Sequence, residues 1–143
     1  MRGHTGDELL RLPVRAGGIR LGRAVDVFLH PREPRALGLD VLCGDETHRF
    51  LPFPASTLQV DAFEAVSPFV LLDLGPDSFY RLEARSLAEL RGRSVGADGS
   101  TLKDVVVGPE WAIEELVLER GGRLRRVPLD GVVLPARSRV RGG

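Results

Sequence analysis

Two carboxylates head short β-branched runs. Asp26 stands in Ala24-Val25-Asp26-Val27-Phe28-Leu29-His30-Pro31, and Asp104 in Leu102-Lys103-Asp104-Val105-Val106-Val107-Gly108-Pro109. An aspartate does general acid or base chemistry when a second acid or a histidine stands within hydrogen-bond reach in a pocket. Neither aspartate has a neighbouring histidine or acid that recurs beside the other. The aspartate itself recurs, at the start of a strand, which points to a structural duty. It would accept backbone N–H groups from a turn, or pair with an arginine such as Arg49 or Arg125. On that reading Asp26→Asn and Asp104→Asn each lower stability by about 1–3 kcal/mol and abolish no reaction.

The remaining reactive side chains form no constellation. Cys43 and His48 are spaced Cys-x4-His, which is not a standard zinc pair, and His30 adds no recurring fourth ligand. Cys43 lacks a nucleophile's local setting and reads as a buried or half-buried free thiol. Gly17-Gly18-Ile19-Arg20-Leu21-Gly22 puts glycines beside a strand, but no long helix follows, so a dinucleotide fingerprint fails on context. No serine lies in a Gly-x-Ser-x-Gly frame. The expectation is no catalytic residues, no metal, no cofactor and no enzymatic activity.

Two features suit contact with a partner. From Arg120 to Gly143 there are seven arginines and one acid, Asp130. Arg137, Arg139 and Arg141 alternate with Ser138 and Val140, so an extended strand would carry them on one face. Such a stripe meets RNA phosphates, an anionic lipid surface or an acidic protein, or else is a solvated tail. Nearby aromatic platforms for single-stranded nucleic acid are missing. Trp111, in the turn after Gly108-Pro109-Glu110, aligns with Arg35 in the repeat described below. It is either a partly exposed contact anchor or a ring packed against the other copy.

The elements that must position these residues follow from composition and punctuation. The chain has 143 residues, 43% of them hydrophobic, with 20 basic and 20 acidic side chains. A core can form, and the whole chain is no polyanion binder. Seventeen glycines and ten prolines among few aromatics favour short strands and many turns. One cysteine permits no disulfide within the chain and fits a reducing compartment. The start, MRGHTGDELL, has no apolar signal-peptide core. The run Phe69-Val70-Leu71-Leu72 is far short of the about 20 residues of a membrane helix. The expected location is cytoplasmic, with no integral membrane segment.

The sequence also repeats itself. Glu8, Leu9, Val14 and Gly18 match Glu89, Leu90, Val95 and Gly99 at constant spacing. Asp26-Val27 then matches Asp104-Val105, Leu37 faces Ile113, and Val41-Leu42 faces Val117-Leu118. Finally Arg49-Phe50-Leu51-Pro52-Phe53 faces Arg125-Arg126-Val127-Pro128-Leu129. Asp26, Asp104, Gly18, Gly99, Pro52 and Pro128 are thus motif positions. The expected division is a tail at 1–6, one copy at 7–75, a linker at 76–78, a second copy at 79–140 and a tail at 141–143. Strands are expected at 22–29, 36–42, 48–53 and 69–74, then at 101–107, 112–119, 123–129 and 131–134. Gly17-Gly18, Asp98-Gly99 and Gly121-Gly122 read as hairpin turns. Ser86-Leu87-Ala88-Glu89-Leu90 reads as one helical turn, with Ser86 as cap and Glu89 at the capping-box position. The second copy ends too soon to supply a strand like 69–74. It therefore borrows an edge, packs closely on the first copy, or dimerises.

Ser86-Leu87-Ala88-Glu89-Leu90-Arg91-Gly92-Arg93-Ser94-Val95, the Asp98-Gly99 turn, Asp104-Val105-Val106-Val107 and Arg125-Arg126-Val127-Pro128-Leu129 resemble the PRC-barrel signature. The resemblance covers nearly all of the second copy and, more loosely, the first, where Gly22-Arg23-Ala24-Val25-Asp26 keeps the pattern. It implies small antiparallel β-barrels with a short helical turn, two PRC-barrel-like copies packed together, in an all-β chain. Such barrels mediate interactions, in the photosynthetic reaction centre H subunit and in a ribosome-maturation factor among others, and share no catalytic residues. The functional expectation is a non-enzymatic adaptor for another protein, with a homodimer as a further arrangement. The alternative is an RNA- or ribosome-associated assembly factor using Arg137, Arg139 and Arg141.

Overall fold

The computed structural model describes residues 3–95, 98–129 and 134–136. In chain order the first elements are β1 (His4–Thr5), α1 (Gly6–Leu9), β2 (Pro13–Ala16), β3 (Ile19–Leu29), β4 (Ala36–Cys43) and β5 (His48–Pro52). There follow β6 (Ser56–Leu58), β7 (Phe63–Ala65), β8 (Leu72–Asp73), α2 (Phe79–Leu82), β9 (Arg85–Ser86) and α3 (Leu87–Leu90). The last are β10 (Thr101–Val107), β11 (Ile113–Arg120) and β12 (Arg123–Pro128). The strands form two curled half-barrel sheets, so the all-β architecture with two barrel-like units and short helical turns is what the chain adopts. One sheet runs β6-β7-β2-β3-β4-β5-β8 with β9 added beside β3, and the other runs β1-β10-β11-β12. No described helix is long and apolar enough to cross a membrane.

Turn chemistry sets the hairpins. Gly17 and Gly18 take φ of 57° and 80°, and Gly121 and Gly122 take 59° and 81°. Two consecutive left-handed residues make the tight turn whose twist matches the flanking strands, and glycine enters it without steric cost. Gly99, at φ 81°, serves the turn that leads into β10. Pro52 and Pro128 sit opposite Gly38 and Glu115 at the ends of β5 and β12.

The meanders β3-β4-β5 and β10-β11-β12 share their irregularities. The ladder slips between Ala24 and Asp26 in one and between Leu102 and Asp104 in the other. A second slip falls between Phe28 and Leu29, and between Val106 and Val107. A bulge re-aims the side chain that follows it, and here that side chain is the aspartate. The registers also correct the sequence alignment by one residue along β4. Leu39 pairs with Val27 and Leu116 with Val105, so Leu39 corresponds to Leu116, and Ile113 answers Ala36 rather than Leu37. A one-residue slip reverses every side chain's face, and the gap belongs in the loops at 30–35 and 108–112, whose lengths differ. Trp111 accordingly loses Arg35 as its counterpart. Arg35 answers Ala112: the Arg35 carbonyl accepts the His30 N–H at 2.9 Å, and the Ala112 carbonyl the Gly108 N–H at 2.8 Å.

The two halves exchange their leading segments. β1 lies antiparallel on β10, with His4 opposite Val107 and Thr5 opposite Val106. β9 lies antiparallel on β3, with Arg85 opposite Leu29 and Ser86 opposite Phe28. Residues 4–6, expected in a tail, are therefore part of the fold, but β1 joins the β10 side of the second sheet, and among the described residues no borrowed strand stands beside β12 where a counterpart of β8 would. Where the exchange crosses, Gly6 has no room for a side chain: a Cβ would lie 2.3 Å from Leu87 Cδ2 and 2.6 Å from Asp104 Oδ1. One hydrophobic core runs through both halves, from Leu9, Val27 and Leu39 to Leu87, Leu102 and Leu116. The loops are stitched as well, by an Arg35–Ala112 bridge and an Ile113 N–H donated to the Pro34 carbonyl at 2.9 Å.

Candidate functional site

The bulge before Asp104 turns its carboxylate toward the N-terminus of α1. The Gly6 N–H donates to Oδ1 at 3.0 Å, the Asp7 N–H to Oδ2 at 3.0 Å, and the Val105 N–H to Oδ1 at 2.8 Å. The Arg91 guanidinium adds its charge 3.5 Å from Oδ2. Asp104 is 6% exposed. The first turn of a helix leaves its N–H groups without partners, and a carboxylate there supplies them. Asp104 is thus a cap for the other half's first helix. The expected arginine partner is not Arg125, which pairs with Asp98 at 2.9 Å.

Asp26 does the same for α3. The Ser86 hydroxyl donates to Oδ2, the Ala88 N–H to Oδ1 at 3.0 Å and the Val27 N–H to Oδ1 at 2.8 Å. Ser86 is itself the N-cap, accepting the Glu89 N–H at 3.3 Å. The first half adds a second acid that recurrence could not reveal. Asp40 lies opposite Asp26 on β4, 3% exposed, with His48 Nδ1 at 2.8 Å and Arg81 Nη1 at 3.4 Å. Val117 occupies the corresponding place in the second half. Sequence reasoning dismissed His48 and overlooked Asp40 and Arg81. The available signal was a lone aspartate inside the apolar run Leu37–Leu42, which demands a partner when buried.

Burial holds the Asp26 carboxyl above the usual aspartate range, against its hydrogen bonds, and the Asp40 charge pushes the same way. A folded-state value above the unfolded one means that the native state holds the proton more tightly. The resulting stability is complete below the unfolded value and is lost as pH rises through the folded one. Asp26→Asn removes that dependence. Its Oδ1 still accepts the two N–H groups, and its NH2 donates to Ser86 Oγ. At neutral pH the variant lies within about 1 kcal/mol of the parent. Urea midpoints measured from about pH 7 to about pH 4 show the parent gaining on the variant as acid is added. A pH-independent difference would mean that the carboxyl does not titrate in this window.

The other reactive side chains are held apart. His30 Nδ1 accepts the N–H groups of Arg32 and Glu33 at 3.1 and 2.9 Å, which shapes its own loop. Cys43 is free and half-buried, and burial pushes its thiol up. Among the described residues no three His, Cys, Asp or Glu side chains group as metal ligands. Arg85, 3% exposed, spans the halves by donating to the carbonyls of His30, Glu33 and Pro135 at 2.6, 2.9 and 3.4 Å. Its burial lowers its pKa.

No protein-family model matches the chain, and no curated protein matches it.

What remains for function is surface. Trp111 is half-buried and stacks on Phe53 with ring centroids 4.0 Å apart and planes 7° apart. Phe53 belongs to the first half, so the ring packs between the halves. Its outer edge borders a groove of about 390 Å³, shared with Phe79, Tyr80, Leu37, Pro52 and Pro54. The crossover from β7 to β9 carries the densest apolar exposure. Val66, Phe69, Leu72, Phe79 and Leu82 are all exposed, Phe69 at 93% and Phe79 at 50%. Arg137, Arg139 and Arg141 lie outside the described residues.

Proposed function

We propose that this chain is a non-enzymatic adaptor, a tandem pair of PRC-barrel-like units that binds another protein. The observation that carries the reading is the apolar crossover at 66–82, with five large side chains exposed along one connecting segment. Large apolar side chains left exposed along one segment are what a protein-binding surface offers a partner. The two motif aspartates support it from the other side, because their oxygens are occupied by helix N-termini of the opposite half. Carboxylates so engaged are architectural.

The test is affinity capture from cells that express the protein, comparing the parent with Phe69→Ser/Phe79→Ser. Both positions are exposed, so the fold tolerates the exchange. A defined protein is expected on the parent, reduced at least tenfold on the double variant. Retention of RNA instead, collapsing with salt and with Arg137→Ala/Arg139→Ala/Arg141→Ala, favours the RNA-associated alternative. Nothing above background on the parent overturns both.

A further inference from the structure

The first half shows what covers a barrel face, and among the described residues the second half has no such cover. On the outer edge of β5 lies β8, antiparallel, with Asp73 opposite Arg49 and Leu72 opposite Phe50. The chain then folds back over the sheet, and Tyr80 stacks on Phe50 at 3.6 Å and 15°. The strand corresponding to β5 is β12. Arg126 opposes Val117, which opposes Asp104, just as Phe50 opposes Asp40 and Asp40 opposes Asp26. Arg125 therefore stands where Arg49 stands. Among the described residues β12 pairs with β11 alone. Beside it opens a groove of about 820 Å³ lined by Leu102, Lys103, Val117, Glu119, Leu124 and Arg126.

The hairpin geometry says which backbone groups face outward. Arg120 and Arg123 close a two-residue turn and form a hydrogen-bonded pair, so Leu124 and Arg126 fall at the alternate positions. Their N–H and C=O groups point away from β11, along the free edge. Such an edge is a template for an added strand. Its charge selects the strand: Arg123, Arg125 and Arg126 stand on six residues, all exposed. The Arg125–Asp98 and Arg126–Glu115 pairs, at 2.9 and 3.7 Å, are exposed contacts of little worth that an incoming acid can share. A second copy of β12 would set arginine against arginine, which is repulsive. No aromatic ring lines the groove to stack a base, and a phosphodiester can accept from the outward N–H groups but donates nothing to the outward carbonyls, which an added strand satisfies. Leu124, 59% exposed, asks for an apolar neighbour.

We propose that β12 is the docking edge for an extended acidic segment of a protein partner, added antiparallel as the next strand of the second sheet. Its acids stand opposite Arg123, Arg125 and Arg126, as Asp73 stands opposite Arg49, and an apolar residue stands opposite Leu124. Read from its own N-terminus, the segment runs acid, acid, apolar, acid. The inference rests on the adaptor reading and gives that adaptor a second, chemically defined contact.

The probe is a fluorescein-labelled Thr-Glu-Glu-Val-Glu-Thr peptide, titrated by anisotropy, with amide hydrogen exchange read alongside. Binding is expected to protect the Leu124 and Arg126 amides. Leu124→Pro removes one outward N–H without touching the β11 ladder and is expected to weaken binding at least tenfold. Arg123→Glu does the same through charge and stands as the second variant should Leu124→Pro fold poorly. The lysine counterpart of the probe is expected not to bind. No binding, equal binding to the parent and both variants, or binding without protection of Leu124 and Arg126 overturns the inference, as does oligouridine protecting those amides better than the probe. Capture through Phe69 and Phe79 reports on the adaptor separately, so loss of either result leaves the other readable.

Discussion

Asp104→Asn lowers the unfolding free energy by about 2–3 kcal/mol, several times the effect of Asp26→Asn. The two aspartates look alike in sequence, and the difference lies in who donates to them. Both oxygens of Asp104 accept backbone N–H groups, Gly6 on one and Asp7 on the other, and Arg91 adds a cation beside the second. An asparagine keeps one acceptor and turns an NH2 toward a donor. The Asp7 N–H at the partly buried start of α1 then loses its acceptor, and the charge that attracted Arg91 is gone. Asp26 instead takes a hydroxyl on its second oxygen, and a hydroxyl can reverse to accept. Urea denaturation of both variants checks the ratio. Hydrogen exchange checks the place: in Asp104→Asn the Gly6 and Asp7 amides exchange faster, because β1 is held to β10 at only two paired positions. Equal losses in the two variants would sink the account.

The sequence made the long meander strands, the glycine turns and the structural aspartates readable because those signals are local. The expected strand 69–74, by contrast, is a short helical turn and two paired residues, and 131–133 of the expected strand 131–134 lie outside the described residues. The apolar run at 101–107 is bounded by Gly and Pro, and Gly121-Gly122 names its own turn and so the strand that follows it. The capping residue Ser86 was legible for the same reason. What stayed hidden was long-range. The donors to Asp104 lie at Gly6 and Asp7, almost the whole chain away, and no local pattern says that the halves trade their leading segments. Recurrence was a good filter for shared architecture and a poor one for what only one half has. It removed Asp40 and His48 from view, because Val117 and Leu124 replace them. It also placed β4 one residue out, since Leu and Val recur on both faces of a buried strand and leave the register to the loop. Arg85 was invisible for a related reason: its partners are carbonyls, which every residue carries.

The crossover at 66–84 completes that asymmetry. Its inner side chains, Leu74, Tyr80 and Ala84, cover Phe28 and Phe50, while its outer ones face solvent. A segment that seals one barrel face thereby presents a new apolar surface, while among the described residues β12 keeps an unpaired edge. The two halves thus offer different chemistry from similar meanders, one apolar and one cationic. On the proposed adaptor reading, the two surfaces would take two segments of a partner at once, and linked contacts of that kind raise affinity without either being strong.

Trp111→Ala is expected to cost about 2–3 kcal/mol, short of the full value for a buried indole because one edge faces the groove. The ring lies flat on Phe53 and 6.4 Å from Phe63, both fully buried, so its loss opens the first half's aromatic cluster from above. The backbone shows how firmly the ring is placed. Glu110 and Trp111 have φ of 59° and 62°, consecutive left-handed residues without a glycine. Such conformations cost on the order of 1 kcal/mol each and persist when surrounding contacts enforce them. Here the enforcing contacts are the Phe53 stack and the Arg35–Ala112 bridge. Trp111→Phe restores part of the stack and recovers part of the stability. Urea midpoints measure both variants, and Phe69→Ser, exposed and unstacked, serves as the control that barely moves. Unchanged stability in Trp111→Ala with loss of a captured partner would make Trp111 a contact anchor, and its stacking on Phe53 incidental.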